Sequence, residues 1–489
     1  MAGIGVKLTK IYEKNTIAAD LYGFFYSSLM TVAPMFLVIG VIILIQWVMG
    51  FSDTLYSSRE LFASTVLYIF IFSLLSASPY NAVLSRYLSD IIFDERYEDI
   101  MPCYYVGLLL NIVTGLCLAV PFCVHEYLTG LVPLYYVFTG FCGFLALLMV
   151  FYSMLYLNIT KDYSRISLFF LIGMTVTFIL AWILHQILRW EITYTILFSM
   201  VIGFLVIGSL EFALIRSFFR ENSRRYKPVL RYFKKYWQLV AANFLYTLGL
   251  YIHNFVFWTT PEHLIVVRSF VSHQSYDMAT CLAMFTNISA TIIFISRIEM
   301  NFHDRYKAYS EAVIGGRGMD VENTKSRMFL QLADEIVSLS RIQFIVTVSV
   351  FLLCIVILPQ FGFGGSVMRI YPMLALGYYI LFLMYAEILF LYYFNDLTGA
   401  VITTAFFALF TCLGAILSTH FTEIWYGTGL VIGAFVGFST GYARLRWVEK
   451  NLDAHIFCAG HILKQHEGPM PSNLVYDRDK GIRPEGAKT

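Results

Sequence analysis

Glu387 is the residue of this chain whose position most clearly suggests chemistry. It lies in the stretch FLMYAEILFLYYF, and its neighbours at helical spacing, such as Leu383 and Leu391, are apolar. A lone carboxylate in such surroundings must be protonated, paired with another group or bound to a cation. A carboxylate that switches between these states would suit ion-coupled transport, and the alternative is a fixed partner on another helix. We therefore predict an ion-coupling role for Glu387.

Polar side chains form stripes along the helices expected over 238–260 and 276–296. Two neighbouring helices with such stripes suggest the walls of a hydrated substrate path, although hydrogen bonding between helices would use the same residues. Asp277 lies near the end of its apolar run, where an interfacial position is an alternative. The predicted substrate path consists of Asn243, Thr247, Tyr251, His253, Asn254, Asp277, Thr280, Asn287 and Thr291.

A charged motif, F-x-x-R-Y, occurs twice, in FDERYEDI at 93–100 and in FHDRYKAY at 302–309. Each copy follows an apolar run that ends in arginine, Arg86 or Arg297. We predict that the motifs gate a cytoplasmic opening or dock a partner, and the alternative is interfacial anchoring by snorkelling arginines. The residues assigned to this role are Phe93, Arg96, Tyr97, Arg297, Phe302, Arg305 and Tyr306.

The composition is that of a polytopic membrane protein. The 489 residues are 58% hydrophobic and 13% charged, with a mean hydropathy of +0.69, whereas soluble domains carry about 25% charged residues. A helix needs about 20 apolar residues to cross a bilayer. Apolar runs near this length predict transmembrane helices over 21–48, 61–85, 103–123, 131–156, 166–188, 192–215, 238–260, 276–296, 342–360, 371–394, 397–418 and 423–443.

The basic residues orient these twelve predicted helices. With the N-terminus inside, 30 of the 34 lysines and arginines fall in cytoplasmic segments, as the positive-inside rule requires. Both termini are therefore predicted to be cytoplasmic. The segments on the other side are short, and the longest covers about fifteen residues near 261–275.

The repeated motif and the basic segment at mid-chain divide the sequence into halves. The fold class we predict is all-α and polytopic, with twelve transmembrane helices in two pseudo-symmetric six-helix lobes. Two such repeats would leave a cleft between them, as in transporters. The predicted segments are an interfacial helix at 1–20, an N-lobe at 21–219, a basic interlobe linker at 220–237, a C-lobe at 238–443 with a cytoplasmic helical loop at 297–341, and a cytoplasmic helix with a flexible tail at 444–489.

Motifs for catalysis are missing from the sequence. It contains no P-loop, HExxH, GxSxG or zinc-binding cluster, so we predict no catalytic residue, metal, cofactor or nucleic-acid partner. Aromatic residues make up 17% of the chain. Because sugars stack their C–H faces on aromatic rings, an aromatic-rich path would suit a glycan.

Several ordered blocks resemble one family, PelG, the inner-membrane component of Pel polysaccharide export. The likeness covers roughly residues 1–458. It is carried by AGIG at 2–5, SRYLSDIIFDERYEDIMP at 85–102, KDYSRISLFFLIGM at 161–174, KYWQLVAANFLYTLGLYIHNFVFW at 235–258 and YDMATCLAMFTNISATIIFISRIEMNFHDRYKAY at 276–309.

The resemblance implies a fold related to the multidrug/oligosaccharidyl-lipid/polysaccharide exporter superfamily, which includes MATE transporters. It implies carriage of an amino-sugar polymer rich in N-acetylgalactosamine across the bacterial cytoplasmic membrane. It also implies a complex with a cytoplasmic glycosyltransferase and with membrane subunits, one of them a candidate sensor of cyclic-di-GMP, among membrane lipids. It supplies no catalytic motif.

Two other functions stay open from the sequence. The first is a cation-coupled, MATE-like exporter of drugs or lipid-linked sugars, which Glu387 favours. The second is a non-transporting scaffold that anchors a polysaccharide synthase to the membrane.

Overall fold

A computed structural model describes residue 34 and residues 36–160, 163–260, 264–267, 270–293, 299–361, 365–458, 474–477 and 481–484. The interfacial helix predicted over 1–20 lies outside the described residues. Fourteen α-helices occur in the described part of the chain, together with two short β-hairpins. The fold is therefore nearly, rather than wholly, helical.

The N-terminal half contains seven of these helices, the last of them short and basic. They are α1 (Phe36–Val48), α2 (Tyr56–Phe93), α3 (Ile100–Thr129), α4 (Leu134–Thr160), α5 (Tyr163–Gln186), α6 (Ile192–Phe218) and α7 (Lys227–Lys235). Helix α3 ends at Gly130, which adopts a left-handed conformation with φ of 64°, as is common after the last turn of a helix. Helix α7 lies within the segment predicted as a basic linker.

The C-terminal half contains the other seven helices. They are α8 (Trp237–Phe257), α9 (Gln274–Ile293), α10 (Glu299–Gly315), α11 (Gly318–Ile357), α12 (Ser366–Tyr393), α13 (Leu397–Ser418) and α14 (Thr428–Cys458). A hairpin of β1 (Leu264–Val267) and β2 (Phe270–Ser272) joins α8 to α9. Within the predicted tail, β3 (Leu474–Asp477) pairs with β4 (Gly481–Pro484).

Ten helices of the described chain are long and apolar enough to cross a membrane: α2 to α6, α8 and α11 to α14. All ten coincide with predicted spans. The first predicted span is described only as the thirteen residues of α1, and the eighth coincides with α9, a 20-residue helix outside the ten. Helix α11 joins part of the predicted cytoplasmic loop to the ninth predicted span, because nothing in Gly318–Ile357 interrupts the helical backbone.

Most buried hydrophobic side chains form two clusters, one mainly in each half. Buried side chains of α1 to α7, together with Phe270 of β2, form one cluster. Those of α8 to α14, together with Ile71 of α2, form another, centred on α12. A small third cluster joins Val83 of α2 to Leu239 of α8 and Leu397 of α13. Within a membrane, van der Waals packing of such side chains holds the helices together, because lipid tails are as apolar as the side chains themselves.

Helix α2 is the element of the N-terminal half that packs along α8. The ring of Phe72 stacks on that of Phe255 at 5.9 Å, and the amide of Asn243 donates to the backbone carbonyl of Ser78 at 3.2 Å. The end of the molecule at which α2 begins is called the hairpin end below, and the opposite end is called the α7 end.

Candidate functional site at the junction of the halves

Polar contacts close the junction at the hairpin end. Successive turns of α2 present Glu60, Ser64 and Tyr68, which fall on one face of a helix. Gln274 donates to Glu60 at 3.0 Å, and the hydroxyl oxygen atoms of Ser64 and Ser272 lie 3.3 Å apart. The Tyr68 hydroxyl donates to the carbonyl of Val271 at 2.6 Å and accepts from its N–H at 2.9 Å. These bonds fix β2 of the C-terminal half to α2.

Asp277 is the centre of a hydrogen-bond network beside these contacts. Its carboxylate accepts from the Asn254 amide at 2.7 Å, from the indole N–H of Trp258 at 3.0 Å and from the backbone N–H of His273 at 3.0 Å. The Asn254 amide also lies 3.5 Å from the Thr280 hydroxyl. Three donors therefore hold the carboxyl group of Asp277 in place.

The other predicted path residues lie on the same two helices. His253 is fully buried and its Nδ1 lies 2.8 Å from the Tyr276 hydroxyl, while Thr247 and Tyr251 are buried in the helix packing. Asn287 and Thr291 lie further along α9. The structure thus brings Asn254, Asp277 and Thr280 together and separates them from Asn243, which contacts α2 farther along the helix.

An aromatic cavity of about 520 Å³ adjoins this network and lies between α2, α3, α4, α8 and β2. None of the predicted path residues belongs to its described lining, although Trp258 both lines it and donates to Asp277. The rings of Tyr68 and Trp258 lie 5.1 Å apart, and Tyr68 stacks on Phe270 at 5.8 Å. The lining consists of Thr65, Tyr68, Ile69, Phe72, Leu118, Ala119, Phe122, Cys123, Tyr136, Val137, Gly140, Phe141, Phe144, Phe255, Trp258 and Phe270.

At the α7 end, the halves meet through Arg86 near the end of α2. Its guanidinium donates to the Asn395 side-chain oxygen at 2.7 Å and lies over the ring of Tyr236 at 4.2 Å. Tyr232 of α7 donates to the carboxylate of Asp90. Burial and this hydrogen bond raise the pKa of the Tyr232 phenol, which favours its protonated, donating form.

Glu387 is fully buried in α12 against α14. Neither carboxylate oxygen has a hydrogen-bond partner in the described structure. The carboxylate occupies space that exists because residue 441 is glycine: a Cβ there would lie 2.5 Å from Oε2 of Glu387. The structure therefore contains a buried carboxyl group without a hydrogen-bond partner among the described residues, and its ion-coupling role stays a prediction.

Glu211 is a second buried carboxylate that the sequence interpretation missed. It lies in α6 of the N-terminal half, is fully buried, and has no hydrogen-bond partner for either oxygen in the described structure. The signal was present, because Glu211 stands alone in the apolar stretch IGSLEFALI, much as Glu387 does in its own stretch.

The first copy of the charged motif forms a turn that binds the segment before α7. Arg96 pairs with Asp94 at 3.1 Å and with the buried Asp99 at 3.3 Å. Asp99 also accepts from the hydroxyl of Ser223, and the Ser223 N–H donates to the Glu98 carbonyl at 3.0 Å. This copy is therefore a structural clasp between α2 and the interlobe segment.

The second copy lies within helix α10 and has a different environment. Phe302 is fully buried against Phe390 at 4.9 Å and Tyr393 at 5.4 Å, whereas Phe93 of the first copy is 82% exposed. Arg305 is exposed and forms no ion pair within the described residues. Arg297 lies outside the described residues. Similar sequences thus occupy unlike positions.

Charge reversal at the two arginines is expected to have unequal effects. Arg96→Glu removes two ion pairs and places a third acid beside Asp94 and Asp99, which should lower the free energy of unfolding by about 1–3 kcal/mol. Arg305→Glu changes an exposed side chain and should stay within about 0.5 kcal/mol. Thermal unfolding of the purified variants in lipid nanodiscs measures both, and equal losses would contradict the clasp.

The arrangement of the helices is found in transporters of the MOP superfamily. An inward-facing multidrug resistance MATE family transporter aligns with a TM-score of 0.57 and 13% identity, covering 87% of this chain and 99% of its own. An outward-facing one gives 0.56 and 15%, covering 87% and 96%. A MOP superfamily transporter from Pyrococcus furiosus gives 0.55 and 14%, covering 87% and 96%. These likenesses show a MATE-like fold, and with ten long apolar helices in its described part the chain is a multi-pass membrane protein.

Residues 1–457 match the family model PelG, described as "Putative exopolysaccharide Exporter (EPS-E)". The chain belongs to the PelG family, which confirms the resemblance found in its sequence. None of the curated proteins compared with the chain matches it.

Proposed function

We propose that this protein carries a Pel-type amino-sugar exopolysaccharide across the bacterial cytoplasmic membrane, through the cleft between two lobes. In this proposal the chain crosses the membrane twelve times, and both termini are cytoplasmic. The observation that carries it is membership of an exopolysaccharide exporter family by a chain whose buried side chains form two main clusters, one mainly in each half. Two such bodies can move relative to one another around a central path.

The contacts between the halves support such movement. At the hairpin end Ser64 meets Ser272 through their hydroxyl groups, and at the α7 end Arg86 meets Asn395. Each polar contact of this kind contributes about 0.5–1.5 kcal/mol. Movement of the halves would break and remake these contacts together with the apolar packing of α2 on α8, such as Phe72 on Phe255. The substrate path of the proposal includes the Asp277 network, which lies at the same junction.

A cytoplasmic glycosyltransferase is the proposed source of the polymer. The segment from Arg216 to Lys235 exposes eight basic side chains on the proposed cytoplasmic side. One of them, Arg225, forms an ion pair with Glu98 at 3.3 Å. An acidic face of the enzyme or of a membrane subunit would be attracted to this surface.

A disulfide lock between the halves tests the proposal. The hydroxyl oxygen atoms of Ser64 and Ser272 lie 3.3 Å apart, so cysteines at both positions would bring their sulfur atoms within bonding reach. In a background without the native cysteines, the Ser64→Cys/Ser272→Cys variant should lose polymer secretion on oxidation and regain it after reduction. Each single cysteine variant is the matched control and should secrete polymer under both conditions.

Normal secretion by the oxidised double variant, with the disulfide verified by mass spectrometry, would contradict transport between the lobes. Deletion of the gene provides the broader test, because undiminished secretion by the deletant would exclude export by this protein. A cation-coupled exporter of drugs or lipid-linked sugars is the second candidate, favoured by the buried Glu387. Proton-driven drug efflux in vesicles that contain only this protein would favour that function.

A further inference from the structure

The aromatic cavity has the size and the lining of a ligand site. Its volume of about 520 Å³ falls within the range of roughly 300–1,000 Å³ that small-molecule pockets occupy. Nine of its sixteen described lining residues are phenylalanine, tyrosine or tryptophan, and none is charged or carries an amide side chain. Leu118 at its rim is 49% exposed, so the cavity is open on that side.

The hydroxyl groups in the lining already have protein partners. The Thr65 hydroxyl donates to the Leu61 carbonyl at 2.6 Å and lies 3.2 Å from the Tyr136 hydroxyl. The Tyr68 hydroxyl exchanges two hydrogen bonds with Val271. A sugar in this cavity would find rings to stack on but would leave its own hydroxyls without partners, which is costly. A hydrocarbon chain has no such groups to satisfy.

We propose that the aromatic cavity binds the hydrocarbon chain of a membrane lipid between the two halves of the molecule. The acyl chain of a phospholipid and the polyprenyl chain of a lipid carrier share this chemistry. The lining comes from both halves, since Tyr68 and Phe72 lie on α2, whereas Phe255 lies on α8 and Trp258 directly follows that helix. A bound chain therefore adds apolar contacts to the junction at the hairpin end, and these contacts change whenever the halves separate.

Gly140 allows the cavity to be filled by a substitution. It lines the cavity, and a Cβ built on it meets only Thr65, at an ordinary contact distance of 3.5 Å. Gly140→Phe therefore adds a ring to the cavity while its first carbon is accommodated. Gly40 in α1 is exposed and has nothing within 4 Å of such a Cβ. Gly40→Phe is thus the matched control, with the same change outside the cavity.

The test uses the purified full chain in nanodiscs of one defined phospholipid. A photoactivatable long-chain fatty acid is added at low mole fraction, and the cross-linked peptides are mapped by mass spectrometry. We expect labelling of α2, α3 and α4 around the cavity. The ring added in Gly140→Phe occupies space that the chain needs, so labelling should fall by about tenfold in this variant, with no change in Gly40→Phe. Leu118→Trp, at the exposed rim, gives a second obstructing variant if Gly140→Phe does not fold.

Competition distinguishes the two sources of the chain. Displacement of the label by excess phospholipid acyl chains or by excess polyprenyl phosphate supports the proposal and identifies which lipid binds. An N-acetylhexosamine oligomer should not displace it. Displacement by that oligomer, equal labelling of wild type, Gly140→Phe and Leu118→Trp, or labelling confined to other helices would overturn the proposal. Because this assay measures binding alone, its result is independent of whether the protein exports polysaccharide.

Discussion

Glu387→Gln is expected to leave the fold intact and to abolish the dependence of polymer export on an ion gradient. Glutamine has nearly the same volume as glutamate but cannot take up a proton or pair with a cation as an anion. Glu387 has no hydrogen-bond partner to lose among the described residues, so little stability depends on its charge. Coupling free energies are typically about 1–3 kcal/mol, which corresponds to a loss of about 5- to 150-fold in gradient-driven export.

The measurement is polymer secretion by cells, or polymer uptake into inverted vesicles, with and without an uncoupler. Glu211→Gln is the matched control, because Glu211 is also fully buried and unpaired but lies in the N-terminal half. Gly441→Ala provides a second perturbation, since its Cβ would displace the Glu387 carboxylate. If Glu387→Gln retained the gradient dependence of the wild type, the coupling role would be wrong.

Breaking the ion pair of Asp396 and Arg444 is expected to cause the largest loss of stability. Asp396 is buried between α12 and α13 and accepts two bonds from Arg444, at 2.5 and 3.1 Å. It also caps α13 by accepting from the Gly399 N–H at 3.1 Å. Removing one partner of a buried ion pair costs about 3–5 kcal/mol, and the lost cap adds about 1 kcal/mol in Asp396→Leu.

The double variant Asp396→Leu/Arg444→Met tests whether the loss of stability comes from an unpaired buried charge or from the loss of the two side chains. It leaves no unpaired charge, so it should be more stable than Asp396→Leu alone. Arg446→Met is the control on the same helix, because Arg446 and Glu449 form an exposed pair at 2.8 Å, worth about 0–1 kcal/mol. Thermal unfolding in nanodiscs compares Asp396→Leu, Arg444→Met, the double variant and Arg446→Met with the wild type. Similar midpoints for Arg444→Met and Arg446→Met would contradict the prediction.

The helices of this protein could be predicted because they depend on local composition. An apolar run of about 20 residues in a bilayer must satisfy its backbone within the segment, and a helix does so. The break at GGRG, 315–318, likewise separates α10 from α11 as the glycines suggest. The hairpin over Leu264–Ser272 was not predicted, because its strands are too short and irregular to show alternation.

Sequence also pointed to single residues whose chemistry does not depend on neighbours. An acid inside an apolar run is costly wherever the helix packs, so Glu387 could be selected from the letters alone. The same reasoning applied to Glu211 would have found it. The partners of Asn254, Asp277 and Arg86 could not be predicted in this way, because each of these polar groups has several possible hydrogen-bond partners on other helices.

Only the tertiary structure decided which faces of the helices meet, and therefore which polar groups are paired. Asp277 bonds to Asn254 and Trp258 because α8 and α9 present these side chains to each other at the hairpin end. The two F-x-x-R-Y motifs have similar sequences. The first forms a clasp at the end of α2, whereas the second lies within α10, where Phe302 packs against Phe390. The pattern of apolar residues indicates how apolar a helix is. The hydrogen-bond partners of its polar side chains depend on contacts between segments that are far apart in the sequence. The sequence by itself determined the membrane-spanning helices and the family, and the packing of those helices created the aromatic cavity and the junction of the halves.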